Sequence, residues 1–361
     1  MVKGRKSVKS INRRVSYEKK TCLIPLLGIS TFLFALFVIM GVSRGQVQEH
    51  LELSTVTGYF QQDDPSTESN DYDFKKNSFG LVNRLYDSDV DFDPDRKKTQ
   101  WQRFEAEINR LNNQSQANTH YKLLYLGRHG EGYHNLAESF YGTKAWDCYW
   151  SLQKGNETTT WVDAELTPLG ISQAQAAQKF WANMIESEII PVPQVYYVSP
   201  LLRCQQTAWN TFFGLNLPPE RPFKPVVKEL LRECIGVHTC DMRSSKNQIQ
   251  KRYPDWIIED GFTENDELWS PTLRESDEAM DQRTKLILDE ILADDEHTFI
   301  SISSHSGQIA SALRVLGHRE FQLGTGQAIP VLIKVDRVSG SLPRVKKAKW
   351  FTPETCPSPP K

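Results

Sequence analysis

From about residue 100 onward, short apolar runs take turns with longer stretches of helical spacing. The runs are Tyr121–Leu126, Gln194–Val198, Val226–Leu231, His297–Ser303 and Ala328–Val335. Each is bounded by glycine, proline or polar residues, the pattern of buried strands. Between and before them lie candidate helices. Lys98–Leu111 places Trp101, Phe104, Ile108 and Leu111 at helical intervals, and Leu166–Ser187 opens on a Thr-Pro-Leu-Gly turn. Leu201–Phe213, Asp277–Leu292 and Gln308–Leu316 complete the set. Alternation of this kind predicts an α/β domain, a three-layer α/β/α sandwich with a mostly parallel sheet. Ala328–Val335 is expected at a sheet edge, because Pro330 has no N–H to give to a ladder.

A different pattern fills the amino end. Leu23–Val42 is apolar without a charged residue, and about 20 such residues in a helix span a bilayer core about 30 Å thick. The run is longer than the apolar part of a cleaved secretory signal, about 7–15 residues, so it reads as an uncleaved signal anchor. Lys3, Arg5, Lys6, Lys9, Arg13, Arg14, Lys19 and Lys20 precede it, whereas only Arg44 follows closely. This bias keeps the amino end in the cytosol and turns the rest toward a lumen or the exterior, a single-pass type II arrangement. The expected divisions are a basic tail (1–22), a transmembrane anchor (23–42), a stem (43–54), a catalytic domain (55–342) and a loosely ordered tail (343–361). The acidic stretch 47–117 carries many aromatics, so it is expected to pack on the domain from about Thr55.

Composition narrows the partners. The 361 residues are 39% hydrophobic and 24% charged, with a formal net charge of −2, which is ordinary for a globular chain. No basic excess marks a nucleic-acid partner. The sequons at Asn113 and Asn156 suit a glycoprotein on the lumenal side. On that side disulfides become available among Cys148, Cys204, Cys234, Cys240 and Cys356; Cys234 and Cys240 are near enough in sequence to pair. No cysteine sits in CxxC spacing, and no His/Asp/Glu set has metal-ligand spacing, so neither metal nor cofactor is expected.

Polar residues follow the apolar runs where α/β folds build their sites. Arg128 and His129 follow the first run, Arg203 the second, Glu233 the third and His305 the fourth. Two arginines, two histidines and a carboxylate suit a phosphoryl group: guanidinium forks bind its oxygens, a histidine attacks phosphorus, and a carboxyl group protonates the leaving oxygen.

The segment RHGEGYHN resembles the RHG motif of the histidine phosphatase superfamily, also called phosphoglycerate-mutase-like. SPLLRCQQTA resembles its second arginine motif, SSHSG its second histidine motif, and LTPLGISQAQ its helix start. With WDCYWSL and RECIGVHTCDMRS, the chain looks closest to fungal phosphomutase-like proteins, over roughly Thr55 to Val335. The resemblance implies a metal-independent enzyme with a phosphohistidine intermediate. By position it makes His129 the nucleophile, with Arg128, Arg203, His305 and Asn135 on the phosphoryl oxygens. Glu233 becomes the proton donor and Glu131 its rival. The Arg-x-Pro and His-Asp signatures of the phytase-like branch are missing. Gly132 stands where glycolytic mutases of the family carry a serine after the glutamate.

The leading expectation is a membrane-anchored phosphatase of small phosphomonoesters. A phosphoglycerate or sugar phosphomutase is the alternative, and a phosphate-ester binding protein without turnover is the third.

Overall fold

A computed structural model of the chain describes residues 49–293, 296–341 and 347–360. The expected basic tail and anchor lie outside the described residues. Among the described residues no helix is long and apolar enough to cross a membrane.

In chain order the strands are β1 (Glu49–Thr55), β2 (Thr119–Arg128), β3 (Val195–Val198), β4 (Pro225–Val227), β5 (Ile257–Ile258), β6 (Phe299–Ser304) and β7 (Ala328–Ser339). They form one sheet in the order β1-β7-β2-β6-β3-β4-β5. From β2 to β5 all neighbours are parallel, whereas β7 runs antiparallel to β2 and β1 antiparallel to β7. The helices are α1 (Asp89–Phe92), α2 (Gln100–Gln114), α3 (Tyr133–Tyr141), α4 (Thr143–Cys148), α5 (Pro168–Asn183), α6 (Leu202–Phe212), α7 (Lys246–Arg252), α8 (Asp277–Leu292) and α9 (Ser306–Val315). Every residue of β6 is buried, as are Leu123–Leu126 of β2, so both faces of the central strands are covered.

Local signals explain the long helices. Thr99 and Gln102 close a capping box at the start of α2, and its Trp101, Phe104 and Ile108 are buried at helical spacing. Thr167 accepts from Gly170 N–H ahead of α5, with Pro168 just inside its start. Ser276 caps α8 in the same way. The aromatics of the acidic segment enter the main core. Phe79 lies with ring centroids 5.6 Å from Tyr125 of β2 and 5.1 Å from Trp181 of α5.

Four expectations need correction. Residues 49–54, assigned to the stem, belong to β1, which pairs with β7 from Glu49↔Ser339 to Thr55↔Ile333. That pairing makes β7 an inner strand rather than an edge. Pro330 is tolerated because β1 stops opposite Ile333, so there the strand has only β2 as a ladder neighbour, with Tyr125 opposite. The third run ends as a strand at Val227, and Glu229–Leu231 turns into a 3-10 helix. The described part of the carboxyl tail is docked. Phe351 exchanges two backbone hydrogen bonds with Arg274, and a Cys148–Cys356 disulfide ties the tail to α4. Cys204, Cys234 and Cys240 are free thiols, so the pairing left open for Cys234 and Cys240 does not form.

Candidate active site

Strand register assembles the site. Arg128 of β2 lies opposite Ser304 of β6, so the residues just beyond, His129 and His305, emerge side by side. Their ring centroids are 5.2 Å apart, and His129 N–H donates to Ser304 C=O at 3.0 Å. One strand over, Val198 of β3 lies opposite Ser303 of β6, and Ser199 follows it. The Ser199 hydroxyl is 2.8 Å from His305 Nε2. Arg203 is the second residue of α6, which starts from the same loop. Next to β3, β4 leads through Glu229–Leu231 to Glu233. The carboxyl ends of four adjacent parallel strands thus deliver the five expected residues to one edge of the sheet.

His129 is 2% exposed. Its Nδ1 is 2.7 Å from Gly130 C=O. A carbonyl oxygen only accepts, so Nδ1 carries the proton and Nε2 the lone pair. Burial first, then Arg203 and Arg128, holds the imidazole well below its usual pKa and therefore neutral. His305 is driven the same way by burial, Arg203 and His129. A neutral histidine with a bare Nε2 in the field of two guanidinium groups is an available nucleophile for a phosphorus atom.

Arg203 is fully buried. It donates to Cys240 C=O at 2.7 Å and to an Asp241 carboxylate oxygen at 2.9 Å, and its Nε has no partner among the described residues. Arg128 donates to Leu323 C=O at 2.6 Å, and its buried Nε is also unpartnered. Burial pulls the Arg128 guanidinium down from its usual range, and Glu233 offsets this. Buried, unsatisfied Nε donors on both arginines suit the oxygens of an incoming phosphate.

Glu233 accepts Cys234 N–H at 2.9 Å and Gly307 N–H at 3.1 Å. A Cβ at position 307 would collide with its carboxylate, so glycine after Ser306 is what lets Glu233 reach the amino end of α9. Glu131 accepts from the Thr167 hydroxyl at 2.7 Å and so braces the α5 turn. Asn135, the other expected phosphate contact, lies in the first turn of α3. Its Oδ1 accepts Gly132 N–H at 3.0 Å and caps α3.

The site holds residues beyond the expected set. Ser199 orients His305, and its only sequence signal is that it is the first residue after an apolar run. Asp241 is the counter-charge of Arg203 and lies 3.5 Å from Arg274 as well. It has no signal in the sequence, because the contact joins residues from separate segments. Ligand atoms of His238, Cys240 and Asp241 lie within 4.8 Å of one another. A cation there would have to displace two guanidinium groups from Asp241, so the trio reads as an ion-pair support for Arg203.

Paired histidines and arginines at the carboxyl ends of parallel strands define a site fit to pass a phosphoryl group through a histidine. The family profile described as histidine phosphatase superfamily (branch 1) matches residues 124–330, and the chain belongs to that superfamily. A "Probable phosphoglycerate mutase" of Arthroderma benhamiae is 50% identical over 311 residues, covering 86% of this chain and 92% of that one. "Phosphomutase-like protein 3" of Candida albicans is 36% identical over 306 residues, 84% of this chain and 86% of that one. Among solved structures, the ecdysone phosphate phosphatase of Bombix mori in complex with tungstate covers 63% of this chain and 96% of its own. At 16% identity and a TM-score of 0.37 it is too distant to bear on function.

Proposed function

We propose that the protein is a membrane-anchored phosphatase of small phosphomonoesters that works through a phosphohistidine at His129. The observation that carries the reading is His129 itself, neutral, with Nδ1 tied to Gly130 C=O and Nε2 bare beside Arg128, Arg203 and His305. Nε2 attacks phosphorus as the bond from phosphorus to the leaving oxygen breaks. The Glu233 carboxyl group protonates that oxygen. The Glu233 carboxylate then takes a proton from water, the water oxygen attacks phosphorus, the P–N bond breaks, and orthophosphate leaves. Arg128 and Arg203 neutralise the charge on the equatorial oxygens, and His305 and the Asn135 amide nitrogen donate hydrogen bonds to them.

The names of the two relatives favour a second reading, a phosphoglycerate-type mutase that returns the phosphoryl group to its substrate. Full-length protein incubated with 3-phosphoglycerate separates the two, since a phosphatase releases orthophosphate and a mutase yields the 2-isomer. His129→Ala should abolish turnover of p-nitrophenyl phosphate; retained turnover removes both readings. The anchor at 23–42, the cytosolic amino end and the lumenal or exterior domain rest on the apolar run and its basic flank. Protease should spare the catalytic domain in intact microsomes, and its digestion there would place the domain in the cytosol.

A further inference from the structure

The segment RHGEGYHN contains a second histidine that the steps above do not use. His134 is the second residue of α3 and is 8% exposed. Its ring centroid lies 5.4 Å from that of His129, so His134 and His305 are both ring neighbours of His129. The titratable groups that act on it are those of the site: Arg203, His129, Arg128 and His238. Burial first, then Arg203 and His129, holds its imidazole neutral, well below its usual pKa.

The ring folds back over Gly132. A Cβ there would stand 2.7 Å from His134 Nδ1 and 2.8 Å from Cε1, so only glycine admits this arrangement. Nδ1 is sealed and has no hydrogen-bond partner, and no described residue bonds the ring elsewhere. A neutral imidazole has one N–H and one lone pair. Leaving a buried donor unpaired is rarer in folded proteins than leaving an acceptor unpaired. The sealed Nδ1 therefore carries the lone pair, and the proton sits on Nε2, the nitrogen not walled in by Gly132.

We propose that His134 is a further catalytic residue, whose Nε2–H donates a hydrogen bond to the phosphoryl group as it passes to and from His129. The inference rests on His129 as the phosphoryl acceptor. In the transition state charge spreads over the three equatorial oxygens, and a fixed neutral donor beside the nucleophile stabilises it without repelling the guanidinium groups that share the cage. A packing histidine would not need to keep one nitrogen unsatisfied next to the nucleophile.

The test uses full-length protein, p-nitrophenyl phosphate and inorganic vanadate, which mimics the five-coordinate phosphoryl group. His134→Phe keeps a ring and removes the donor. It should lower kcat by about 100-fold, the loss typical for one donor of such a cage, with KM little changed. Vanadate inhibition should weaken in step. His134→Gln, whose amide offers an N–H again, should recover at least about 10-fold of the lost rate. Wild-type kcat and unchanged vanadate inhibition in a folded His134→Phe protein would overturn the inference. If that variant does not fold, 15N NMR of the wild-type imidazoles decides: an Nε2–H tautomer at His134 that shifts on adding vanadate supports it, and an Nδ1–H tautomer overturns it. His129→Ala separates the two levels. A dead His129→Ala beside a fully active His134→Phe overturns this inference alone, whereas an active His129→Ala overturns the proposed function and this inference with it.

Discussion

Asp241→Asn tests how the phosphate cage is held. Arg203 is fully buried and Asp241 is 2% exposed, with 2.9 Å between guanidinium nitrogen and carboxylate oxygen. At an effective dielectric of about 20, opposite unit charges about 3–4 Å apart attract by about 4–6 kcal/mol. Breaking a buried pair by neutralising one partner typically costs about 3–5 kcal/mol, because the other charge stays buried without compensation. Asp241→Asn should therefore destabilise the fold by about 3–5 kcal/mol, a large part of the total of about 5–15 kcal/mol that holds a domain folded. The same substitution frees the fork of Arg203, so kcat should fall as well. Urea unfolding followed by tryptophan fluorescence gives the first number, and p-nitrophenyl phosphate turnover the second. The double variant Arg203→Met/Asp241→Leu sharpens the test. It removes both charges from the interior, so it should regain most of the lost stability and remain inactive. A loss below about 1 kcal/mol with unchanged kcat in Asp241→Asn would refute the reasoning, because a surface-like pair would then be holding Arg203.

Three further outcomes follow from the same geometry. Ser199→Ala deletes the hydroxyl 2.8 Å from His305 Nε2 and should lower kcat about 10-fold with little change in folding free energy; an unchanged kcat would show that His305 needs no such support. His129, His134 and His305 have folded-state pKa values well below the usual 6.5, and burial takes His238 down to about 4. The unfolded chain therefore binds protons that the folded one refuses, and stability present above pH 6.5 is lost as pH falls. Each such histidine adds up to about 1.4 kcal/mol per pH unit below that point. Unfolding free energies at pH 7, 6 and 5 check this, and a flat profile would contradict it. Cys148→Ser opens the disulfide to Cys356 and should lower stability by about 2–5 kcal/mol. It should also expose the tail around Phe351 to protease, and a tail equally resistant in the variant would mean that the Arg274 bridge alone docks it.

The sequence carried the central part of this architecture because its signals are local. An apolar run followed at once by a polar pair marked β2 with Arg128 and His129, and the same logic marked Arg203 after β3 and His305 after β6. The buried face Trp101, Phe104 and Ile108 and the turn opening at Thr167 each lie within a few residues, so spacing reveals them. What escaped is non-local or too short to show a period. Strand β1 has a single buried residue, Leu51, within Glu49–Thr55, and it is a strand only because β7 is beside it. Pro330 was read correctly as a missing donor, but where β1 ends decides whether that matters. The support of Arg203 by Asp241 and of His305 by Ser199 joins segments 38 and 106 residues apart, which no run of neighbouring residues announces. His134 was visible in RHGEGYHN. Its meaning appears only once the fold sets its ring beside His129 and seals Nδ1 against Gly132.

The most direct test of the central claim is to trap the intermediate. Full-length protein is mixed with p-nitrophenyl phosphate, quenched within the first turnover in alkali, where phosphohistidine survives, and digested for mass spectrometry. The account predicts one phosphoryl group on the peptide that contains His129, at Nε2, and none in His129→Ala. A peptide without the added mass, or the group on any other residue while turnover proceeds, would contradict it.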